Sequence, residues 1–313
     1  MSISVIILTY NSEATLGKTL TAASKISDDL HVVDSYSTDS TQTICSKFGA
    51  KFVQRAFKNY AEQRNWAIDN LPFKYDWELH LDADEQLSEE LIAEILDLKS
   101  NGMSAKFSGY HVARLIRFLG REIRHGGMFP IWHMRLFSRG SGRCEDREYD
   151  QHFIVNGQTA HLYGPMIDDI CIPLSEWINR HNRWSDGEMR DLLRKDPVMF
   201  TIQAKLFGSP IERKRFYKSL YNRLPFLMRA YILFLYRYCF RLGFLDGQEG
   251  AIFFGLQTFW YRFLVDAKLF EANRVGDSAR AARVQEFDLS PIGLHPGETK
   301  QLPTTDHSAR EDR

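Results

Sequence analysis

Short apolar runs alternate with helix-like stretches along the first hundred residues. The apolar runs are ISVIILT at 3–9, LHVVD at 30–34, KFV at 51–53 and ELHLD at 78–82. Between them, apolar residues such as Leu16, Leu20 and Ala23 recur at the spacing of an amphipathic helix. Strand and helix therefore alternate repeatedly, which predicts an α/β sheet with parallel strands and right-handed crossovers.

Polar residues stand where these predicted strands end. In a sheet of this kind, ligands bind outside the carboxyl ends of the strands. The residues that this rule gathers at one edge are Thr9, Tyr10, Asn11, Asp34, Asp82 and Asp84. A further acid, Asp39, is placed to cap the helix that follows it, which predicts a structural role instead.

The motif DAD at 82–84 places two carboxylates on the same side of an extended strand end, because side chains alternate with period two. Magnesium and manganese ions take carboxylate and phosphate oxygens, usually with few protein carboxylates. Asp82 and Asp84 are therefore candidate ligands of a divalent cation that holds a diphosphate. The alternative is a simple helix entry, with Ser88 as the N-cap and two glutamates in the first turn.

Beyond residue 109 the pattern changes to alternating strands. GYHVARLIRF, a turn at Gly120, a return strand and IWHMRLFS predict a hairpin extension of the sheet. Most of the arginines here are expected on a solvated sheet face, with one or two available for anionic groups of an acceptor. These arginines are Arg114, Arg117, Arg121, Arg124 and Arg135. A helix is predicted at 176–194.

The segment EDREYDQHF at 145–153 concentrates acidic residues without a clear period. Such a segment is either a solvated loop or the source of a catalytic carboxylate. Its acids are Glu145, Asp146, Glu148 and Asp150.

Residues 216–270 mix aromatic and aliphatic side chains with arginines. The longest charge-free runs, at 230–236 and 250–261, are shorter than the roughly 20 residues that a membrane-spanning helix needs. We expect helices that lie in a membrane interface, with their arginines at the headgroups. The alternatives are a helical hairpin packed on the rest of the protein, or a dimer interface.

The composition argues against several classes of function. The 313 residues carry 40 basic and 40 acidic side chains, and this balance argues against a nucleic-acid partner. The four cysteines lie far apart, without the spacing of a zinc site. The N-terminus lacks the basic and long apolar regions of a signal peptide, so we expect a cytoplasmic protein at the inner face of the cytoplasmic membrane.

Four segments, SVIILTYNSEATL, HVVDSYSTDST, YAEQRNWAI and HLDADEQL, resemble in order the nucleotide-side motifs of family 2 glycosyltransferases with the GT-A fold. GREIRHGG, MRLFSRG and GFLDGQEG are similar to the branch with bacterial lipopolysaccharide-core and exopolysaccharide glucosyltransferases. The resemblance implies a Rossmann-like mixed sheet flanked by helices. It also implies inverting transfer of a sugar from a nucleotide-diphosphate donor, with a UDP-sugar expected.

The resemblance further implies residue roles. Thr9, Tyr10 and Asn11 would line the nucleotide pocket, Asp34 would meet the base, and Arg64 would lie by the base or diphosphate. Asp84 would bind Mg²⁺ or Mn²⁺, with Asp82 near both ribose and metal. Inversion also needs a general base, for which relatives in this branch often carry a His-Glu pair that this chain lacks. The expected bases, in order, are Asp150, Glu148, Asp146 and Glu145. His152, His161 and His181 could reach the diphosphate or metal, although a lone histidine is more often simply hydrogen-bonded.

The predicted organisation is a catalytic domain at 1–200, a helical region at 201–272 and a disordered tail at 273–313. Within the catalytic domain, 1–100 would bind the nucleotide sugar and 101–200 the acceptor, a saccharide or lipid-linked glycan of bacterial polysaccharide or lipopolysaccharide synthesis. A membrane surface is the expected partner of 216–270. One alternative is a non-catalytic sugar-nucleotide-binding or scaffold protein. A nucleotidyltransferase is disfavoured, because no glycine-rich phosphate loop follows the first strand.

Overall fold

A computed structural model describes residues 2–101, 106–145, 151–193 and 224–274, with 207, 216–217 and 220–221. Three of the candidate bases, Asp146, Glu148 and Asp150, lie outside the described residues, as do residues 275–313 of the predicted tail.

The described residues form seven strands where the sequence predicted them and four more that it did not predict. They are β1 (Ile3–Thr9), β2 (Asp29–Asp34), β3 (Lys51–Gln54), β4 (Trp77–Asp82), β5 (Glu85–Leu87), β6 (Gly109–Phe118), β7 (Arg121–Ile123), β8 (Ile131–Ser138), β9 (Gly142–Cys144), β10 (Phe153–Val155) and β11 (Thr159–Ile170). The helices are α1 (Leu16–Ser24), α2 (Thr41–Lys47), α3 (Tyr60–Asn70), α4 (Glu89–Ser100), α5 (Leu174–Leu193), α6 (Met228–Leu235), α7 (Gly247–Phe254) and α8 (Tyr261–Arg274). Two π-helical turns, Tyr236–Phe240 and Gly255–Trp260, extend α6 and join α7 to α8, and a 3₁₀ turn covers Gly243–Asp246.

One mixed sheet organises the fold. Its order is β3-β2-β1-β4-β8-β6-β11-β5, with β7 added beside β6. The first four strands are parallel, β8 runs antiparallel between β4 and β6, and β11 is parallel to β6. The carboxyl ends of β1, β2, β4, β6 and β11 therefore point to the same edge. The predicted GT-A class, a mixed sheet flanked by helices, is confirmed.

Helices cover both faces of the sheet, which explains why four consecutive residues of β1, Val5–Leu8, are apolar. Val5 and Ile7 pack in a cluster with residues of α1 and α4. The intervening Ile6 packs with Ala67 of α3 and with Leu71, which follows this helix, on the other face. A strand buried on both faces favours a continuous run of apolar residues.

The C-terminal helices pack against the end of the β6–β7 hairpin. Phe253 and Phe254 of α7 form a second core with Phe118 of β6 and Trp177 of α5. Gly126 follows the hairpin with a φ of +64°, and a Cβ there would overlap the Phe254 ring. Part of the 216–270 region therefore packs on the rest of the protein, which was one of the alternatives to a membrane interface. Among the described residues, no helix has the length and hydropathy needed to cross a bilayer.

Candidate active site

The first two strand ends form a tightly bonded pair of loops. The Thr9 hydroxyl donates to Asp34 Oδ1 over 2.9 Å, and the Ser37 backbone N–H donates to Asp34 Oδ2 over 2.8 Å. Asn11 accepts a hydrogen bond from the Thr38 N–H over 2.8 Å. Asp34 is fully buried. The structure therefore brings Thr9, Asn11 and Asp34 together, with the Asp34 carboxylate shaping the loop from within.

The neighbouring acid Asp39 has the structural role that the sequence predicted. Its Oδ1 accepts a hydrogen bond from the Thr41 backbone N–H over 3.0 Å, in the first turn of α2. Its Oδ2 accepts one from the Glu13 N–H over 3.0 Å, which ties the two loops together.

Asp82, the last residue of β4, is held between two arginines. Arg64 of α3 donates to Asp82 Oδ1 over 2.8 Å, and Arg135 of β8 donates to Oδ2 over 3.0 Å. Arg135 also pairs with Glu85 over 2.5 Å, and Glu85 accepts from the Asp82 N–H. Burial would raise the pKa of Asp82, but the charges of Arg64 and Arg135 outweigh it and hold this pKa below its usual range.

Asp84 stands in the opposite electrostatic environment. Burial, then the negative charges of Asp168, Asp82 and Glu85, raise its pKa well above the usual value. Among the described residues, no cationic side chain pairs with the Asp84 carboxylate. Asp82 and Glu85 share Arg135, whereas Asp168 is paired with Arg114 of β6. Asp84 is thus a carboxyl group at this edge whose ionised form has no cationic side chain to balance it among the described residues.

This charge pattern fits a divalent cation. Among the described residues, no three side chains of the ligating types form a ready-made metal cage. Mg²⁺ is commonly bound through one or two carboxylates together with substrate phosphates, so a complete cage is not required. Asp84 supplies an unpaired hard oxygen ligand and Asp82 lies beside it. The residues present therefore suit a metal that arrives with a diphosphate.

The last strand, β11, adds two acids that the sequence analysis missed. Asp168 and Asp169 lie opposite Ile116 and Arg117 of β6. The Asp169 N–H donates to the Asp84 carbonyl over 3.1 Å, which brings β11 against the DAD turn. The sequence feature that could have identified them is a pair of adjacent acids near the end of a long strand.

The expectation of a solvated arginine face was wrong for Arg135, which is 5% exposed and clamps Asp82. Arg114 is likewise occupied by Asp168. The alternation of arginines with apolar residues was visible in the sequence. The position of β8 next to β4, which brings Arg135 to Asp82, was not.

The candidate base segment begins and ends beside Arg64. Cys144, at its start, exchanges two hydrogen bonds with Asn65 of α3, of 2.9 and 3.0 Å. At its other end, the Arg64 guanidinium lies over the Phe153 ring at 5.4 Å. Glu145 is buried and accepts a hydrogen bond from the His152 N–H over 3.3 Å. Of the four proposed bases, Glu145 is the one within the described residues, and it follows Cys144 at the contact with α3.

Two of the candidate histidines lie in other surroundings. His181 is buried in the C-terminal core, stacked on Trp177 at 3.5 Å between ring centres, and burial lowers its pKa to about 4. His161 packs against His111 and Trp132 on the sheet. Contact of His181 with a diphosphate is thus contradicted by its burial.

The mixed sheet, with its acids at the carboxyl edge, is the architecture expected of the GT-A class. The profile described as "Glycosyl transferase family 2" matches residues 4–144. An uncharacterized glycosyltransferase of Rickettsia conorii is 36% identical over 211 residues, which cover 62% of this chain and 71% of that protein. The chain belongs to glycosyltransferase family 2, and the predicted resemblance is confirmed.

A further relative spans more of the chain, and two solved structures match smaller parts of it. The lipopolysaccharide core biosynthesis glycosyltransferase LpsC of Rhizobium meliloti is 24% identical over 281 residues, 87% of this chain and 93% of that protein. Among solved structures, residues 1–349 of S. aureus TarS in complex with UDP-GlcNAc show 25% identity over 38% of this chain and 34% of that one, with a TM-score of 0.29. Glucosyl-3-phosphoglycerate synthase from Mycobacterium tuberculosis shows 17% identity over 56% of this chain and 74% of that one, with a TM-score of 0.39.

Proposed function

We propose that this glycosyltransferase moves a sugar, with inversion, from a nucleotide-diphosphate donor, expected to be a UDP-sugar, to a saccharide or lipid-linked acceptor of bacterial lipopolysaccharide or polysaccharide synthesis. The observation that carries the proposal is the uncompensated Asp84 carboxylate beside the arginine-clamped Asp82. The name of the LpsC relative supports lipopolysaccharide synthesis as the pathway.

The donor would bind along the carboxyl edge of β1, β2 and β4. Thr9, Tyr10, Asn11 and Asp34 shape the loops for the nucleotide, and Arg64 fixes the orientation of Asp82 near the ribose. A divalent cation, Mg²⁺ or Mn²⁺, held by Asp84 with Asp82 would stabilise the negative charge of the departing nucleoside diphosphate.

In an inverting displacement, an acceptor oxygen bonds to the anomeric carbon as the bond to the diphosphate oxygen breaks. The acceptor hydroxyl proton must pass to a base in the same step. We assign this role to an acid of the 145–150 segment, namely Asp150, Glu148, Asp146 or Glu145. Support for this segment comes from its two ends, which adjoin Arg64 next to Asp82.

The helical region is proposed to hold the enzyme on a membrane surface at the inner face of the cytoplasmic membrane. One side of these helices is buried in the protein, and the other leaves large apolar side chains exposed. Between Met228 and Phe270, the large apolar side chains that are at least 47% exposed are Met228, Tyr231, Tyr236, Phe240, Leu242, Phe244, Leu245 and Phe270. An apolar surface of this kind suits an interfacial helix.

The arginines of this region contribute less to the membrane than the sequence suggested. Arg229 is buried and pairs with Asp266, and Arg262 pairs with Glu188 over 2.7 Å. The expectation that they meet lipid headgroups is therefore wrong for these two. Arg223 lies outside the described residues.

The function is tested by incubating the purified protein with UDP-sugars, bacterial membrane extract and Mn²⁺, and by detecting transfer with radiolabel and mass spectrometry. Asp84→Asn should reduce transfer by at least about 100-fold, the scale of losing a group that stabilises transition-state charge. Asp97→Asn, a change at an exposed acid of α4, is the matched control. Donor binding without transfer or hydrolysis across a broad acceptor panel would instead identify a non-catalytic binding protein.

A further inference from the structure

The β6–β7 hairpin borders an open pocket with a volume of about 590 Å³. Its charged lining consists of Arg117, Arg121, Glu122, Arg124, His125 and Asp246. The first five come from the hairpin and the residues after it, and Asp246 comes from the 3₁₀ turn before α7. Two separate segments of the sequence, GREIRHGG and GFLDGQEG, thus build one pocket.

The pocket lies at the edge of the sheet that carries the acidic cluster. Arg117 is opposite Asp169 in the parallel β6–β11 register and pairs with it over 3.6 Å. Asp169 in turn donates its N–H to the Asp84 carbonyl over 3.1 Å. Arg117 therefore links the pocket to the DAD turn through a single intervening residue.

The basic side chains of the pocket are more available to a ligand than its two acidic side chains. Glu122 is shared by Arg117, at 3.2 Å, and Arg124, at 2.8 Å. Asp246 is almost fully buried and is occupied by the N–H groups of Arg124 and His125 and by the His125 ring. Among the described residues, Arg121 has no acidic partner. Guanidinium groups with spare donors are suited to phosphate oxygens.

The basic pocket adjoins exposed apolar side chains. Phe244 and Leu245 lie in the turn that Asp246 ends, and each is 47% exposed. The Gly126 N–H donates to the Arg241 carbonyl over 2.9 Å, so the hairpin and the start of this turn are joined on a second side. Cations and apolar groups held this close together match an amphiphile with an anionic headgroup.

We infer that this pocket binds a phosphate group of the lipid-linked acceptor and so places the acceptor beside the donor site. The inference rests on the proposed function, because it gives the lipid-linked acceptor its anchoring contact. Each arginine near an anionic lipid surface contributes about 1 kcal/mol, which corresponds to about fivefold in affinity.

The test measures sedimentation of the full-length protein with phosphatidylcholine vesicles that contain phosphatidic acid, a lipid with a phosphate monoester. Arg121→Gln and Arg124→Gln should each weaken binding about fivefold. Glu122→Gln should tighten it, because two guanidinium groups are released. The matched control is Arg139→Gln, an exposed arginine at the opposite edge of the sheet, which should bind like the parent protein.

Inorganic phosphate separates a lipid from a soluble source of the anion. Added phosphate should compete with the vesicles in the parent protein and have less effect in Arg121→Gln. If phosphate bound in an Arg121-dependent way while vesicles did not bind, the lipid source would be wrong. Parent-like vesicle binding by both arginine variants, or equal weakening by Arg139→Gln, would overturn the pocket assignment.

A second readout keeps this inference distinct from the proposed function. Hydrolysis of UDP-glucose in the absence of acceptor, followed as UDP release, depends on the donor site. Arg121→Gln should leave this rate unchanged while it weakens vesicle binding. Absence of both hydrolysis and transfer in the parent protein would count against the proposed function, whereas loss of Arg121 dependence in vesicle binding would count against the pocket.

Discussion

The substitutions Asp82→Asn and Asp84→Asn should have different effects on the free energy of unfolding, although both replace a carboxylate by an amide of the same shape. Asp82→Asn removes the negative charge that Arg64 and Arg135 share. Hydrogen bonds to charged groups contribute about 1.5–3 kcal/mol each. Because the Asp82 side chain is 31% exposed, solvent screens part of this, and we expect a total loss of about 2 kcal/mol in the free energy of unfolding. That corresponds to a fall in melting temperature of about 4–8 °C.

Asp84→Asn should leave the melting temperature unchanged or raise it. The substitution removes a carboxylate that lies among Asp168, Asp82 and Glu85 without a cation beside it. Mn²⁺ should stabilise the parent protein, by about 2.7 kcal/mol at 100 times its dissociation constant. It should stabilise Asp84→Asn much less, because the variant lacks the free carboxylate.

Thermal unfolding in buffer treated with chelator, and then with added Mn²⁺, measures both effects without any substrate. Asp97→Asn serves as the control for loss of one negative charge and should keep the response of the parent. Equal destabilisation by Asp82→Asn and Asp84→Asn would refute the electrostatic contrast between the two aspartates. An unchanged Mn²⁺ response in Asp84→Asn would refute its role as a metal ligand.

Three further predictions concern the C-terminal helices and the residues near the β6–β7 hairpin. His181 has a folded pKa of about 4 against 6.5 for a free imidazole, so the unfolded state takes up the proton first. Its contribution to stability should therefore fall as pH drops from about 6.5 to about 4, by at most about 3 kcal/mol, and His181→Phe should flatten this dependence in melting curves. Gly126→Ala should lower stability by about 2 kcal/mol or more through steric overlap, whereas Gly120→Ala, with a similar positive φ and open space, should cost about 1 kcal/mol. Phe240→Ser, at a side chain that is 78% exposed, should weaken vesicle binding about tenfold without lowering the melting temperature, whereas Leu96→Ser on α4 should not.

The sequence could predict the parts of the site that follow directly from local pattern. Apolar runs showed where β1, β2 and β4 end, and the carboxyl-edge rule then placed Thr9, Asp34 and Asp82 at one rim. Local hydrogen-bonding chemistry also identified Ser88, whose side chain accepts from the Leu91 N–H and caps α4.

The missing parts depend on which distant strands become neighbours. Arg135 reaches Asp82 because β8 enters the sheet antiparallel to β4, and Asp168 reaches the DAD turn because β11 pairs with β5. Neither pairing can be recognised from the local sequence, because the alternation of side chains within β8 or β11 is the same whichever strand lies beside it. The buried ion pairs of Arg229 and Arg262 escaped prediction for the same reason.

The proposed division of roles between Asp82 and Asp84 therefore depends on the tertiary structure. The two aspartates are separated by one residue and have the same chemistry. Two arginines neutralise Asp82, which fixes its orientation and keeps it ionised. β11 brings a further acid to Asp84, whose ionised form then has no cationic side chain to balance it among the described residues. A site that must take up a cation together with a diphosphate needs both conditions, because full neutralisation would remove the attraction for the metal and two free carboxylates would repel the phosphates.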